Sequence, residues 1–173
     1  YTLGVNYFST NIFVIPGDNI TIKCNARDPQ SLKFEGDHAN ENNYLVQYEI
    51  LKGSLPDQDF ANFYGQNEQE FIKKVEARTQ LLIHHQQEFQ KNNAPFDEVF
   101  AAMLIDQITY DAASIKMNYP TYFQYLFPDS NLVLTDTYDS FLQNIDLDKA
   151  DNLLLPAYVN FLPLYLDFKT KAD

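Results

Sequence analysis

With 173 residues, 45% of them hydrophobic, and with 12 Tyr and 14 Phe but no Trp, the chain can build one ordinary core packed largely by aromatics, which excludes a disordered chain. Its net charge of −12 is graded, 8 basic against 12 acidic groups over residues 1–92 and 4 against 12 over 93–173. No basic stripe can neutralise phosphates, so nucleic acid and anionic membrane are poor partners. Cys24 is the single cysteine, which excludes an internal disulfide, a Cys-x-x-Cys redox pair and a thiolate zinc cluster.

The chain opens on Tyr1 in strand-like sequence, without a charged n-region, a signal h-region or a run of 18 apolar residues. Either the protein is cytosolic or its targeting segment was removed, and Tyr1 in place of an initiator Met, with the strand already under way, suggests a piece processed or excised from a longer protein. The first 36 residues read as β. Asn11-Ile-Phe-Val-Ile15 is a short apolar run, Pro16-Gly17-Asp18 is a turn signal, and residues 19–25 alternate apolar and polar with period two. Together they predict a hairpin closed by a type II turn, with Pro16 presetting φ and Gly17 accepting a positive φ. Cys24 shares a strand face with Ile20 and Ile22 and is expected to be a buried, inert thiol. Ser31-Leu-Lys-Phe34 could add a strand before Gly36. Two or three strands cannot bury a sheet face alone, so they must cap helices or belong to a larger sheet.

After Gly36 the period becomes helical. A first helix is predicted over residues 38–52, with Tyr44, Tyr48 and Leu51 on one face, Asp37 as N-cap, and Gly53 and Pro56 as the stop. A second is predicted from Asn67 to about Asn92, capped by Asn67 and Glu70, about 39 Å long at 1.5 Å per residue. Its apolar seam is Phe71, Ile72, Val75, Leu82 and Phe89. A third starts at Pro95, with Asp97 and Glu98 near the positive end of its dipole, and is expected to end before Pro120. Phe96, Phe100, Met103, Leu104 and Ile115 form its stripe. The aromatic segment between Pro120 and Pro128 fits one or two further turns. Helices from about Asp136 to Asn144 and from about Asp148 to Lys171 complete the chain, with a kink or break expected at Pro163. The fold class is therefore mainly α (α+β): a short N-terminal antiparallel β element over residues 1–36, followed over 37–173 by a bundle of five to six helices.

Few residues in this frame point to chemistry. His84 and His85 are adjacent on a helix, about 100° apart, and cannot chelate one ion from one face. The stretch Phe34-Glu-Gly-Asp-His-Ala-Asn-Glu-Asn-Asn-Tyr44 gathers acids, an imidazole and amides, but they follow the glycine instead of surrounding it as a calcium loop requires. It reads as a joint between strand and helix. No Gly-rich phosphate cradle, serine elbow or H-E-x-x-H motif occurs, and no acid pair is singled out for glycosidase chemistry. The one candidate cluster is Gln107 and Asp111, in the middle of the third helix's apolar stripe, with His85 bordering the seam of the second. Asp111 demands a hydrogen-bonding partner, either as structural glue between helices or as an acid facing a cavity. No catalytic, metal or cofactor-binding residue is assigned, and no cofactor is expected.

Val14-Ile-Pro-Gly-Asp18-Asn-Ile-Thr-Ile22, Phe34-Glu-Gly36 and Asn43-Tyr44-Leu45, in this order, resemble the N-terminal region of TlpA-like thiol-disulfide oxidoreductases of the Gram-negative envelope. There a "PGD" turn, a strand ending "F-x-G" and an "N-x-L" or "N-Y-L" helix start precede a thioredoxin domain. Ile108-Thr-Tyr110 and Tyr119 continue the likeness, which spans about Ile12 to Phe168. The family's activity resides in a later Trp-Cys-x-x-Cys motif that this sequence lacks, so no catalytic position carries over. The resemblance implies an exported accessory domain, periplasmic or outer-membrane-associated, its partner a C-terminal thioredoxin domain or a client protein. Any membrane attachment would run through a lipid anchor upstream. A stand-alone helical binding module of the envelope is the alternative.

Overall fold

A computed structural model describes residues 2–5, 8–25 and 27–172. The expectation for Tyr1 lies outside the described residues. The chain is mainly α with a short N-terminal β element, and divides into two units, one of residues up to Leu55 with Leu81–Ala101, the other of Pro56–Gln80 with residues from Ala102 on. The joint at Gly36 therefore lies inside the first unit.

The first unit holds two antiparallel ladders, β1 (Thr2–Val5) with β2 (Phe8–Asn11), and β3 (Ile20–Asn25) with β4 (Asp28–Gly36). The expected hairpin between residues 11–15 and 19–25 does not form. Residues 12–15 are not strand, because the backbone of Phe13 is taken by a side chain: Asn42 Oδ1 accepts from its N–H at 2.8 Å, and Asn42 Nδ2 donates to its carbonyl at 2.9 Å. The turn itself is as expected, with Gly17 at φ 105° and Asp18 N–H donating to the Ile15 carbonyl at 3.1 Å.

Helix α1 (Ala39–Lys52) packs on β4 and β2. It buries Val46 with Leu32 and Phe34, and seats Tyr44 among Tyr48, His85, Phe89, Phe96 and Phe100. Cys24 is exposed, not buried. Ile22 lies opposite the buried Phe34 in register yet is 45% exposed. The helix lies over β4, and of β3 only Ile20, at its start, packs against the cluster of Leu32, Phe34 and Val46. Period two does not say which strand lies under the helix, and the register shifts between Lys23 and Asn25, at Cys24 itself.

The helix start also differs from expectation. His38, in the left-handed region at φ 49°, occupies the N-cap position without a side-chain capping bond. Asp37 instead turns back, its Oδ2 accepting from the Asn19 N–H at 2.9 Å. Gly36, at φ 97°, is placed so that a Cβ would lie 2.2 Å from the Asn19 carbonyl oxygen, which fixes a glycine there.

Helix α2 (Phe60–Tyr64), which no periodicity announced, follows a 3₁₀ turn at Pro56–Gln58 and is capped by Asp59 accepting from the Asn62 N–H. Helix α3 (Glu68–Asn92) begins as expected, with Asn67 Oδ1 accepting from the Glu70 N–H at 3.1 Å. Its seam residues Phe71, Val75, Leu82 and Phe89 are buried. Helix α4 (Glu98–Leu126) starts three residues after Pro95, capped by Asp97 Oδ1 accepting from Val99 and Phe100 N–H. It continues through Pro120 instead of stopping. Proline has no N–H for the Lys116 carbonyl four residues back, and the buried Tyr138 hydroxyl donates to that carbonyl at 2.6 Å. A tertiary donor replaces the missing helical one.

The second unit is packed around two aromatic clusters. One stacks Phe71 on Tyr119 at 4.0 Å with Phe63, Tyr64 and Tyr138 nearby; the other gathers Tyr110, Tyr158 and Phe161. The helix expected over 136–144 is a 3₁₀ segment at Tyr138–Asn144. The one expected from Asp148 is a 3₁₀ segment at Ala150–Leu154 followed by α5 (Pro156–Ala172). Pro156 supplies a first helical position. Pro163 sits on the exposed side of α5, which it does not break. Among the described residues no helix is long and apolar enough to cross a membrane.

Candidate functional site

The polar stretch that joins strand to helix is spent on backbone. Asn40 Nδ2 donates to the Ala94 carbonyl, Glu41 Oε1 accepts from the Asp97 N–H at 2.8 Å, Asn42 grips Phe13, and Asn43 grips Phe34 through its N–H and carbonyl, both at 2.9 Å. One turn of α1 thereby serves three stretches of backbone: Phe13, Phe34 of β4, and the 94–97 connection between α3 and α4. His38 packs edge-on to Phe13 at 5.0 Å between Asp18 at 3.6 Å and Glu41 at 3.8 Å. Among the described residues no group of three or more His, Cys, Asp or Glu is placed to hold a metal ion.

Gln107 and Asp111 each have a partner of their own within the second unit. Gln107 Oε1 accepts from the Ala157 N–H at 3.3 Å and so serves the first turn of α5. Asp111 meets Arg78, with Nη2 to Oδ2 at 2.7 Å, and Arg78 Nε lies 3.0 Å from Asp57 Oδ1. This second contact is an ion pair by distance, with the N–H not aimed at the oxygen. Arg78 is 2% exposed. Burial alone would push the guanidinium pKa down, and the two carboxylates more than offset this, leaving it raised. Asp111 is thus committed as the counter-charge of a buried arginine. His85 belongs to the first unit, 5.3 Å from the ring of Tyr44. Burial, assisted by His84, lowers its pKa, and its Nδ1 is buried without a hydrogen-bond partner among the described residues.

Arg78 escaped the sequence reading although a signal was present. Phe71, Val75, Arg78 and Leu82 occupy positions i, i+4, i+7 and i+11 of one seam, and Phe100, Leu104, Gln107 and Asp111 do the same on α4. A cation in one apolar seam and an anion in another call for each other.

The second unit also contains a groove of about 250 Å³, lined by Val75, Glu76 and Gln80 of α3, Ala113 and Lys116 of α4, and Phe141 among others. Ala112 and Ala113 leave the space, since larger side chains there would fill it. Lys116 Nζ lies 5.2 Å from the centre of the Phe141 ring, a cation–π contact. Burial pushes the ammonium pKa down and Glu76 partly opposes it. Its carbonyl is the one held by Tyr138 across the gap left by Pro120. Neither Lys116 nor the groove was found from sequence, where a lone lysine in a helical stripe reads as a solvated side chain.

Comparison of the chain with protein-family models, with curated proteins and with solved structures finds no match.

Proposed function

We propose that this chain is the non-catalytic N-terminal accessory domain of an envelope thioredoxin-like thiol-disulfide oxidoreductase, acting to position a catalytic thioredoxin domain or to hold its clients. The supporting observation is that the motif pieces which resemble that family are parts of one device. Gly17 makes the turn that presents Asp18 to His38, Gly36 lets its backbone approach Asn19, and Asn43 clasps Phe34. Short motifs carry more weight as a resemblance when they interlock than when they are scattered. An exported location, periplasmic or at the outer membrane through an upstream lipid anchor, belongs to the same proposal. The reading frame beyond Asp173 tests it. A Trp-Cys-x-x-Cys segment within about one further domain length, roughly 100–200 residues, is expected, and a frame encoding none overturns the proposal. A stand-alone binding module is the second reading, favoured by the groove beside Lys116. It predicts a ligand-dependent rise in melting temperature for the chain by itself.

A further inference from the structure

We propose that the groove between α3, α4 and the 3₁₀ segment Tyr138–Asn144 binds a carboxylate borne on a short apolar body, with Lys116 as its cationic anchor. The argument starts from the placement of charge. Lys23, Lys52, Lys73, Lys91, Lys149 and Lys169 each have a carboxylate within ion-pairing distance, and Arg78 has two; Arg27 and Lys33 are exposed, and the half-buried Lys74 donates to the Asn62 carbonyl and side chain. Lys116 is half-buried, and no ion pair joins it to a carboxylate among the described residues. Glu76 acts on it electrostatically from an exposed position on the rim, beyond ion-pairing distance. Lys116, resting on an aromatic ring, is the one positive group among the residues lining the groove and can pair with an anion from outside, against the opposing field of the Glu76 carboxylate and of a net charge of −12.

The rest of the groove defines the body of that anion. Val75, Ala113, Phe141 and Ile145 give apolar walls. The hydroxyls of Thr79 and Thr109 are turned to their own helices, donating to the Val75 and Ile105 carbonyls at 2.9 and 2.8 Å, and so do not extend the polar part. One cation suits one negative charge, whereas a phosphate dianion would find no second cation among the lining residues. The volume of about 250 Å³ lies just below the usual range for small-molecule pockets, roughly 300–1,000 Å³. An aryl or alkyl acid, or the carboxylate of a peptide ending in an apolar residue, has this chemistry. The inference stands independently of the accessory-domain reading.

The experiment titrates the chain with 4-phenylbutyrate, 4-phenylbutanol and 4-phenylbutylamine, following backbone amide shifts by NMR. The expected result is saturable binding of the acid, with shifts centred on Val75, Ala113 and Phe141, at least about tenfold tighter than the alcohol, because a hydrogen bond to a charged group outweighs a neutral one. The amine binds more weakly than the alcohol. Lys116→Met, which keeps an unbranched apolar side chain, removes the preference for the acid while circular dichroism and the melting temperature report an intact fold. An acetylated dipeptide ending in phenylalanine, compared with its amide, assigns the source: tighter binding than phenylbutyrate, lost on amidation, marks a peptide terminus, and weaker binding marks a small acid. Equal affinity for acid and alcohol, an acid preference that survives Lys116→Met, or no saturable binding of the acid up to about 10 mM to the folded protein overturns the inference.

Discussion

The pairing of Pro120 with Tyr138 can be tested quantitatively. Tyr138 is 7% exposed and its hydroxyl donates at 2.6 Å to the Lys116 carbonyl, which Pro120 leaves without its helical donor. Tyr138→Phe removes the hydrogen bond and strands that carbonyl, at a cost of about 2 kcal/mol within the ~1–3 expected for a buried group left unsatisfied. Pro120→Ala restores an N–H four residues after Lys116, so the carbonyl no longer depends on the phenol. In that background Tyr138→Phe should cost only about 0.5 kcal/mol, the low end for a hydrogen bond whose acceptor keeps another partner. The coupling of about 1.5 kcal/mol is large compared with the ~0.3–0.5 kcal/mol scatter of independent sites. Urea denaturation of the four proteins, followed by far-ultraviolet circular dichroism, measures it. Equal costs of Tyr138→Phe in both backgrounds would refute the idea that the phenol substitutes for the missing helical donor.

Other consequences are open to similar tests. Arg78→Ala leaves Asp57 and Asp111 facing each other without a cation and should cost about 2–3 kcal/mol, less than the ~3–5 of a fully buried pair because Asp111 keeps 30% of its side chain exposed; Arg78→Lys should recover only part of this, since an ammonium cannot fork to both carboxylates. Gly36→Ala should cost at least ~2 kcal/mol, from positive φ plus the close approach to the Asn19 carbonyl, whereas Gly17→Ala, with nothing within 4 Å of its Cβ, should carry the φ strain alone, roughly 1 kcal/mol; equal effects in thermal melts would contradict the packing at the joint. His85 titrates below its ordinary 6.5 because it is buried, with His84 adding to the shift. The unfolded chain therefore takes up that proton first as pH falls, so stability is at its full value above about pH 6.5 and is lost as pH drops through the folded pKa. Denaturation midpoints between pH 5 and 8 should show His85→Leu with the flatter profile.

The helical part of the fold was largely legible because α1 and α3 carry their apolar residues at helical spacing and begin or end at recognisable residues. Asn67 caps where it was expected to, and Tyr44, Tyr48, Phe71, Val75 and Leu82 are buried. The failures share one cause, dependence on a partner distant in sequence. Residues 11–15 look like a strand until Asn42, 29 positions beyond Phe13, occupies the backbone that a strand would have used. Pro120 looks like a stop until Tyr138 supplies the missing donor. Cys24 was expected inside with Ile20 and Ile22, yet it lies exposed where the register of β3 on β4 shifts, and α1 packs on β4 and β2 instead. At the candidate site, Asp111 was recognisable as needing a partner, but Arg78, 33 residues earlier, lies in a seam whose other members are apolar. Gln107 proved to serve a helix end, a role that depends on where α5 begins. Lys116 offered no local signal, since its setting is made by Phe141, 25 residues on.

The accessory-domain proposal is tested most directly by counting thiols in the full-length gene product. The protein is treated with iodoacetamide under denaturing conditions, before and after reduction, and the alkylated positions are mapped by mass spectrometry. The account predicts that Cys24 reacts in both samples, and that a Cys-x-x-Cys pair C-terminal to this chain reacts only after reduction. Labelling confined to Cys24 in both samples would contradict it.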